Sequence, residues 1–251
     1  MTKSINYMAE LNRLPQKQLI MTTKLISATK ANSLYWLGRY EERVYITLHM
    51  LRKCYDRMID SGKEDYDELW TRLDVNGIYR TTEAFSYGMM YDEKNIASVI
   101  SAQTRAMDNA IVLREDITSE TLSYLEMSMA LIKECKKRRE ANMTALQPIV
   151  DWSLAFWGSA EQRLRNHNAL YIMTIGRNIE NLDMLLRFEY PYGRIALGYE
   201  SLLRYIDQMP TVINKHIEEQ LSKLITEELF NLRDIAYKNE LLVLINLLVK
   251  I

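Results

Sequence analysis

Glycine and proline are scarce in this chain of 251 residues, with eight of the first and four of the second. All-β proteins spend both on frequent turns, so their scarcity argues against a sandwich or barrel and for long helices. Cysteine is scarcer still. Cys54 and Cys135 stand alone with no Cys-x-x-Cys pair, which argues against a disulfide framework or structural zinc and reads as reduced thiols in a cytoplasmic protein. Charge of either sign is also lacking in surplus: 32 Lys and Arg against 33 Asp and Glu leave a formal net charge of -1. Nothing there drives binding to nucleic acid or an anionic membrane. The basic run Lys136 to Arg139 is followed by Glu140 and reads as a solvated helix end.

Long apolar runs are missing too. The longest, Leu241 to Val249, is nine residues with Asn246 inside it, against about 20 needed to span a bilayer. Burial in the chain's own core is the expected fate of that run, with a docking surface as the alternative. Residues 1–30 are polar, without the apolar core of a signal peptide. They read as an N-terminal extension, with Met21 as an alternative start, ahead of a single domain over residues 31–251. The three histidines are His49, His167 and His216, and three residues before them stand Ile46, Leu164 and Ile213. The Glu-x-x-His pair of a di-iron bundle is therefore absent, as are metalloprotease, phosphate-loop and Ser or Cys nucleophile signatures. No metal, cofactor or nucleophile set is expected. Trp36, Trp152 and Trp157 read as core anchors, and His49 as a packed or surface side chain.

What is present is helical periodicity. It predicts helices over residues 32–61, 64–73, 79–90 and 95–115. A further helix is capped by Thr118 or Ser119, with Glu120 in its first turn, and runs to about Asn142. Pro148 is expected to open another. A long helix follows from Ala169 to Glu189, stopping before Tyr190-Pro191, and then helices over 193–208 and 212–251. The fold class is an all-α multi-helix bundle with two related helical halves, because Gly-Arg-x-x-Glu occurs at Gly38 and again at Gly176.

On a helical wheel, Leu37, Val44, Leu48, Leu51 and Tyr55 form one core stripe, repeated by Ile175, Leu182 and Leu186. The opposite face is more informative. There Tyr35, Arg39, Glu42, Ile46 and Met50 align, and in the second copy Met173, Arg177, Glu180, Met184 and Phe188. An exposed Arg–Glu pair is common, but apolar residues one turn above and below it, twice over, imply burial. Buried charges require partners. The row Ile96, Ile100, Gln103, Met107, Ala110 and Arg114 offers a third contributor, placing Arg114 beside Glu115 and near Glu120. The candidate polar cluster is therefore Arg39, Glu42, Arg114, Glu115, Glu120, Arg177 and Glu180, either a structural ion network or a ligand site.

The string Ala31-Asn-Ser-Leu-Tyr-Trp-Leu-Gly-Arg-Tyr-Glu-Glu-Arg43 resembles the opening signature of the bacterial Alpha-E family. Asn109-Ala-Ile-Val-Leu-Arg-Glu-Asp-Ile-Thr-Ser-Glu120 and Ile175-Gly-Arg-Asn-Ile-Glu-Asn-Leu-Asp183 are similar to its second and third blocks. The likeness covers about residues 31–203. Met107 and Ile111 stand where the family often has Arg, and Asn181 replaces the arginine of the second Glu-Arg. The function of the family is unknown. Its members accompany ATP-grasp ligase-like and transglutaminase-like proteins, so the resemblance implies a cytoplasmic part of a peptide synthesis or modification system. Three readings follow: a helical accessory or substrate-presenting partner of an ATP-grasp ligase, an enzyme that uses the Arg and Glu cluster on a carboxylate- or phosphate-bearing substrate, and a scaffold or homo-oligomerisation module.

Overall fold

The computed structural model describes residues 26–61, 66–73, 75, 77–140, 143–232 and 234–250; most of the expected N-terminal extension lies outside them. The described residues form eleven α-helices in chain order: α1 (Ala28–Ser61), α2 (Asp67–Arg72), α3 (Thr82–Tyr91), α4 (Val99–Val112), α5 (Ser119–Arg138), α6 (Met143–Arg163), α7 (His167–Arg187), α8 (Tyr192–Ile206), α9 (Lys215–Leu224), α10 (Glu227–Asn231) and α11 (Ile235–Leu247). A short 3-10 turn, Pro210–Val212, precedes α9. The extended pairing among the described residues is a single antiparallel bridge, Ile213 to Val249.

Capping side chains set most of the boundaries. Thr81, Ser98, Thr118 and Asn166 accept from backbone N–H groups in the first turns of α3, α4, α5 and α7, satisfying donors with no intrahelical partner. Ser98 therefore starts α4 later than periodicity predicts, and Leu113 ends it before Arg114. The basic run does close α5, with Lys136, Lys137 and Arg138 in its last turn, where positive charge opposes the helix dipole.

Two boundaries depart further from expectation. Pro148 lies inside α6 rather than opening it, so the helix gives up one backbone bond there. The helix expected over 212–251 is divided into three, because Thr226 and Asp234 cap new starts at α10 and α11. Both are residues whose short oxygen-bearing side chains compete for backbone N–H groups.

α1 is the axis of the molecule and packs most extensively on α7, then on α4. Its early turns, with Leu34 and Leu37, join a core with Phe156, Ile172, Ile175, Ile179, Leu182 and Ile195. Its later turns, with Val44, Leu48 and Leu51, join a second core with Phe85, Met89, Val99, Ile100, Ile132 and Ile149. The stripe therefore packs as periodicity predicts, except that Tyr55 is 43% exposed. The changeover between the two cores falls at residues 39–43, where α1 carries its charges. The C-terminal apolar run buries Leu241, Leu244, Ile245 and Leu248 but leaves Val243 and Leu247 exposed. No described helix is long and apolar enough to cross a membrane.

Candidate functional site: the crossing of the two Gly-Arg-x-x-Glu helices

The two copies of the motif meet each other. A Cβ atom on Gly38 would overlap the carbonyl oxygen of Met173, and one on Gly176 would overlap that of Tyr35. Only glycine lets the two backbones approach so closely. The helices run parallel there, with Lys53 further along α1 lying over Tyr190 beyond the end of α7, and the charged residues are exchanged about an approximate two-fold axis. Arg39 Nε donates to Glu180 Oε2 at 2.8 Å, while Arg177 Nε donates to Glu42 Oε2 at 3.0 Å. The arginine of each copy thus serves the glutamate of the other, rather than the one three residues along its own helix.

Other side chains complete the layer. Arg43 donates to both oxygens of Glu180, at 2.5 and 3.0 Å. Arg39 also donates to Asn246 Oδ1 at 2.7 Å, and Asn246 Nδ2 donates to Asp183 Oδ1 at 3.0 Å. Arg187 closes the row on Asp183 Oδ2 at 2.6 Å. Arg39, Glu42, Glu180 and Asp183 are all buried, so these charge-assisted bonds act where solvent screens them least. Burial alone would lower the Arg39 pKa, but Glu180, Tyr35 and Asp183 hold it above the ordinary guanidinium range. Burial pushes the Glu42 carboxyl above its ordinary range, with Arg177 pulling the other way.

Glu41 sits beside this layer but faces α6. Ser153 Oγ donates to its Oε1 at 2.7 Å, and Oε2 has no hydrogen-bond partner among the described residues. Loss of hydration pushes this carboxyl up to about 7, against the lowering effect of the Ser153 bond. At neutral pH it is poised between its charged and neutral forms.

The third expected contributor does not join. Arg114, Glu115 and Glu120 are exposed, and Glu120 forms a surface pair with Arg163 at 3.6 Å. The cause is the early end of α4 at Leu113, which takes Arg114 off the helical row that would have aimed it inward. Arg43, Asp183, Arg187 and Asn246 do join, none of them expected from the motif alone. Arg43 carried a signal, since it lies one turn beyond Arg39 on the same face. Asn246 carried another, as the one polar interruption of the C-terminal apolar run.

Two clefts open beside the crossing. The first, of about 590 Å³, has α1 residues Trp36, Arg39, Tyr40 and Arg43 on one wall and Asp183, Met184 and Arg187 of α7 on another, with Leu73, Val75, Ile78 and Ile96 opposite. Among its described residues Arg39, Arg43, Lys94 and Arg187 are cationic and Asp183 is anionic. Counting Glu180 behind Arg39, four positive charges face two negative ones among the described residues. The rings of Trp36 and Tyr40 stack at 5.3 Å, and the Arg39 guanidinium lies 5.2 Å over Trp36. Trp36 is thus half-buried in a cleft wall rather than a core anchor, whereas Trp157 is buried. The second cleft, of about 450 Å³, is lined by Glu42, Arg177 and Asn181 together with α8 residues such as Arg194 and Ser201.

Fold and site together define an all-helical domain organised on glutamates buried between two helices and paired with arginines. The family model that matches the chain, Alpha-E, is described as a predicted alpha-helical domain with a conserved ER motif, and it covers residues 26–209. The chain belongs to that family. Glu-Arg occurs once in the sequence, at Glu42-Arg43, in the middle of the charged layer. No curated protein and no solved structure matches the chain.

Proposed function

We propose that the chain is a helical binding module that holds the carboxylate of a peptide or amino acid in the first cleft and presents it to an ATP-grasp amide ligase. One observation carries the reading. The cleft places Arg43 and Arg187 at its edge over buried counter-ions, with two stacked rings and an apolar wall beside them. Guanidinium groups match carboxylates in planar, paired geometry, and the apolar wall suits a side chain attached to the bound anion. The family resemblance supports the setting, in which an ATP-grasp ligase and a transglutaminase-like protein are the partners, within the cytoplasm. The exchanged motif also fits an internal duplication of the helix that carries it.

The enzyme alternative is the weaker one. Glu41, the carboxyl poised near neutrality, is sealed against Ser153 and lines neither cleft, so a bound substrate would find no general base there. The test is co-purification of the full chain with an ATP-grasp amide ligase from the same cell, together with ligase turnover with and without the chain. Association and a lowered KM for the carboxylate substrate support the proposal. No association, with turnover unchanged, overturns it.

A further inference from the structure

The two clefts are related by the same approximate two-fold axis as the ion pairs. Trp36, Arg39, Tyr40 and Arg43 line the first. The residues 138 positions later, Thr174, Arg177, Asn178 and Asn181, line the second. The axis is broken where it matters most for charge, because Arg43 corresponds to Asn181.

The consequence falls on the two buried glutamates. Glu180 receives guanidinium bonds on both oxygens, from Arg39 and from Arg43. Glu42 receives one guanidinium, Arg177, on Oε2 at 3.0 Å. Its Oε1 has only the Asn181 amide at 3.4 Å, near the outer limit of a hydrogen bond. The Arg177 charge is further shared with the Trp157 ring, 4.5 Å from its guanidinium carbon. Yet the Glu42 side chain is 4% exposed, and a carboxylate so deeply buried calls for full compensation. It can accept about four hydrogen bonds and stands in the wall of a cleft.

We propose that this second cleft binds an alkylammonium or alkylguanidinium group, which meets Glu42 Oε1 where the counterpart of Arg43 would stand. The remaining donors of such a group have acceptors at hand. Asn178 commits its amide nitrogen to the Thr174 carbonyl and leaves its side-chain oxygen, and Ser201 adds a hydroxyl. Glu161 balances Arg194 at the rim. The site rests on the broken symmetry alone and stands whether or not the first cleft takes a carboxylate. If both hold, one helix pair carries the two functional groups that an amide ligase joins.

The test is calorimetric titration of the full chain with agmatine at low salt, with a blocked Gly-Arg-Gly peptide as a second titrant to separate free amines from peptide side chains. Saturable one-to-one binding of at least one titrant is expected. Asn181→Arg, which supplies the guanidinium from the chain itself, should weaken it at least tenfold without lowering the melting temperature. Glu120→Gln, at a surface pair that lines neither cleft, should leave it unchanged. If Asn181→Arg does not fold, Glu42→Gln decides, and it should abolish binding. No saturable binding to the native chain, or binding undiminished in the folded Asn181→Arg or Glu42→Gln variant, overturns the proposal.

Discussion

Glu41→Gln separates the cost of a buried carboxyl from every other charge near the crossing. The group has an ordinary value of 4.5 and stands at about 7 in the fold, with burial as the chief cause. A folded value above the unfolded one means the fold prefers the neutral acid. The associated stability is fully present below pH 4.5 and is lost as pH rises toward 7. At about 1.4 kcal/mol per pH unit the whole loss is about 3 kcal/mol. In the glutamine variant the bond from Ser153 Oγ is kept and this pH dependence disappears. Its amide NH2 then occupies the position where Oε2 has no partner among the described residues, a pH-independent cost of about 1–3 kcal/mol. The variant should therefore be less stable than the native chain at pH 5 and equal to it or more stable at pH 8. Urea denaturation followed by circular dichroism from pH 4.5 to 8.5 reads both curves. If their difference does not change with pH, Glu41 is ionised throughout and the assignment is wrong.

Three further outcomes follow from the crossing. Gly38→Ala and Gly176→Ala each drive a methyl group into the opposite backbone, so each should cost about 3 kcal/mol or more in denaturant unfolding; a loss under about 1 kcal/mol would refute the close approach. Glu180→Gln strands the Arg39 charge in the interior and should cost about 3–5 kcal/mol, whereas Glu120→Gln, at an exposed pair, should leave the melting temperature unchanged; equal effects would deny that the layer is buried. Asn246→Ala removes an acceptor from Arg39 and a donor from Asp183, for a loss of about 1 kcal/mol by thermal melting, and no loss would place Asn246 outside the layer.

The helical class, the burial of the two Arg–Glu sets and their apolar flanks were legible because each depends on spacing along one helix. Ile46 and Met184 lie buried one turn beyond Glu42 and Glu180, as the two-sided wheel implies. What spacing along one helix could not reveal was the exchange of partners, since Arg39 meeting Glu180 depends on how α1 crosses α7. The same limit hid Asn246, which lies 207 residues from Arg39 in the chain. Arg114 shows a different failure. A row of i, i+4, i+7 positions holds only while the helix continues, and the turn after Leu113 ends it. The three helices at the C-terminus went unseen because Thr226 and Asp234 act as caps inside what reads as one periodic pattern.

The proposed carboxylate site rests on the surplus of positive charge that the layer of exchanged pairs gives the first cleft among its described residues. Calorimetric titration of the full chain with N-acetylphenylalanine at low salt tests this directly, since the rings of Trp36 and Tyr40 and the wall at Val75 and Ile78 suit the aromatic group. Saturable one-to-one binding is expected, weakened at least tenfold by Arg43→Gln and unaffected by Asn181→Arg. Absence of saturable binding, or full affinity in folded Arg43→Gln, would contradict it.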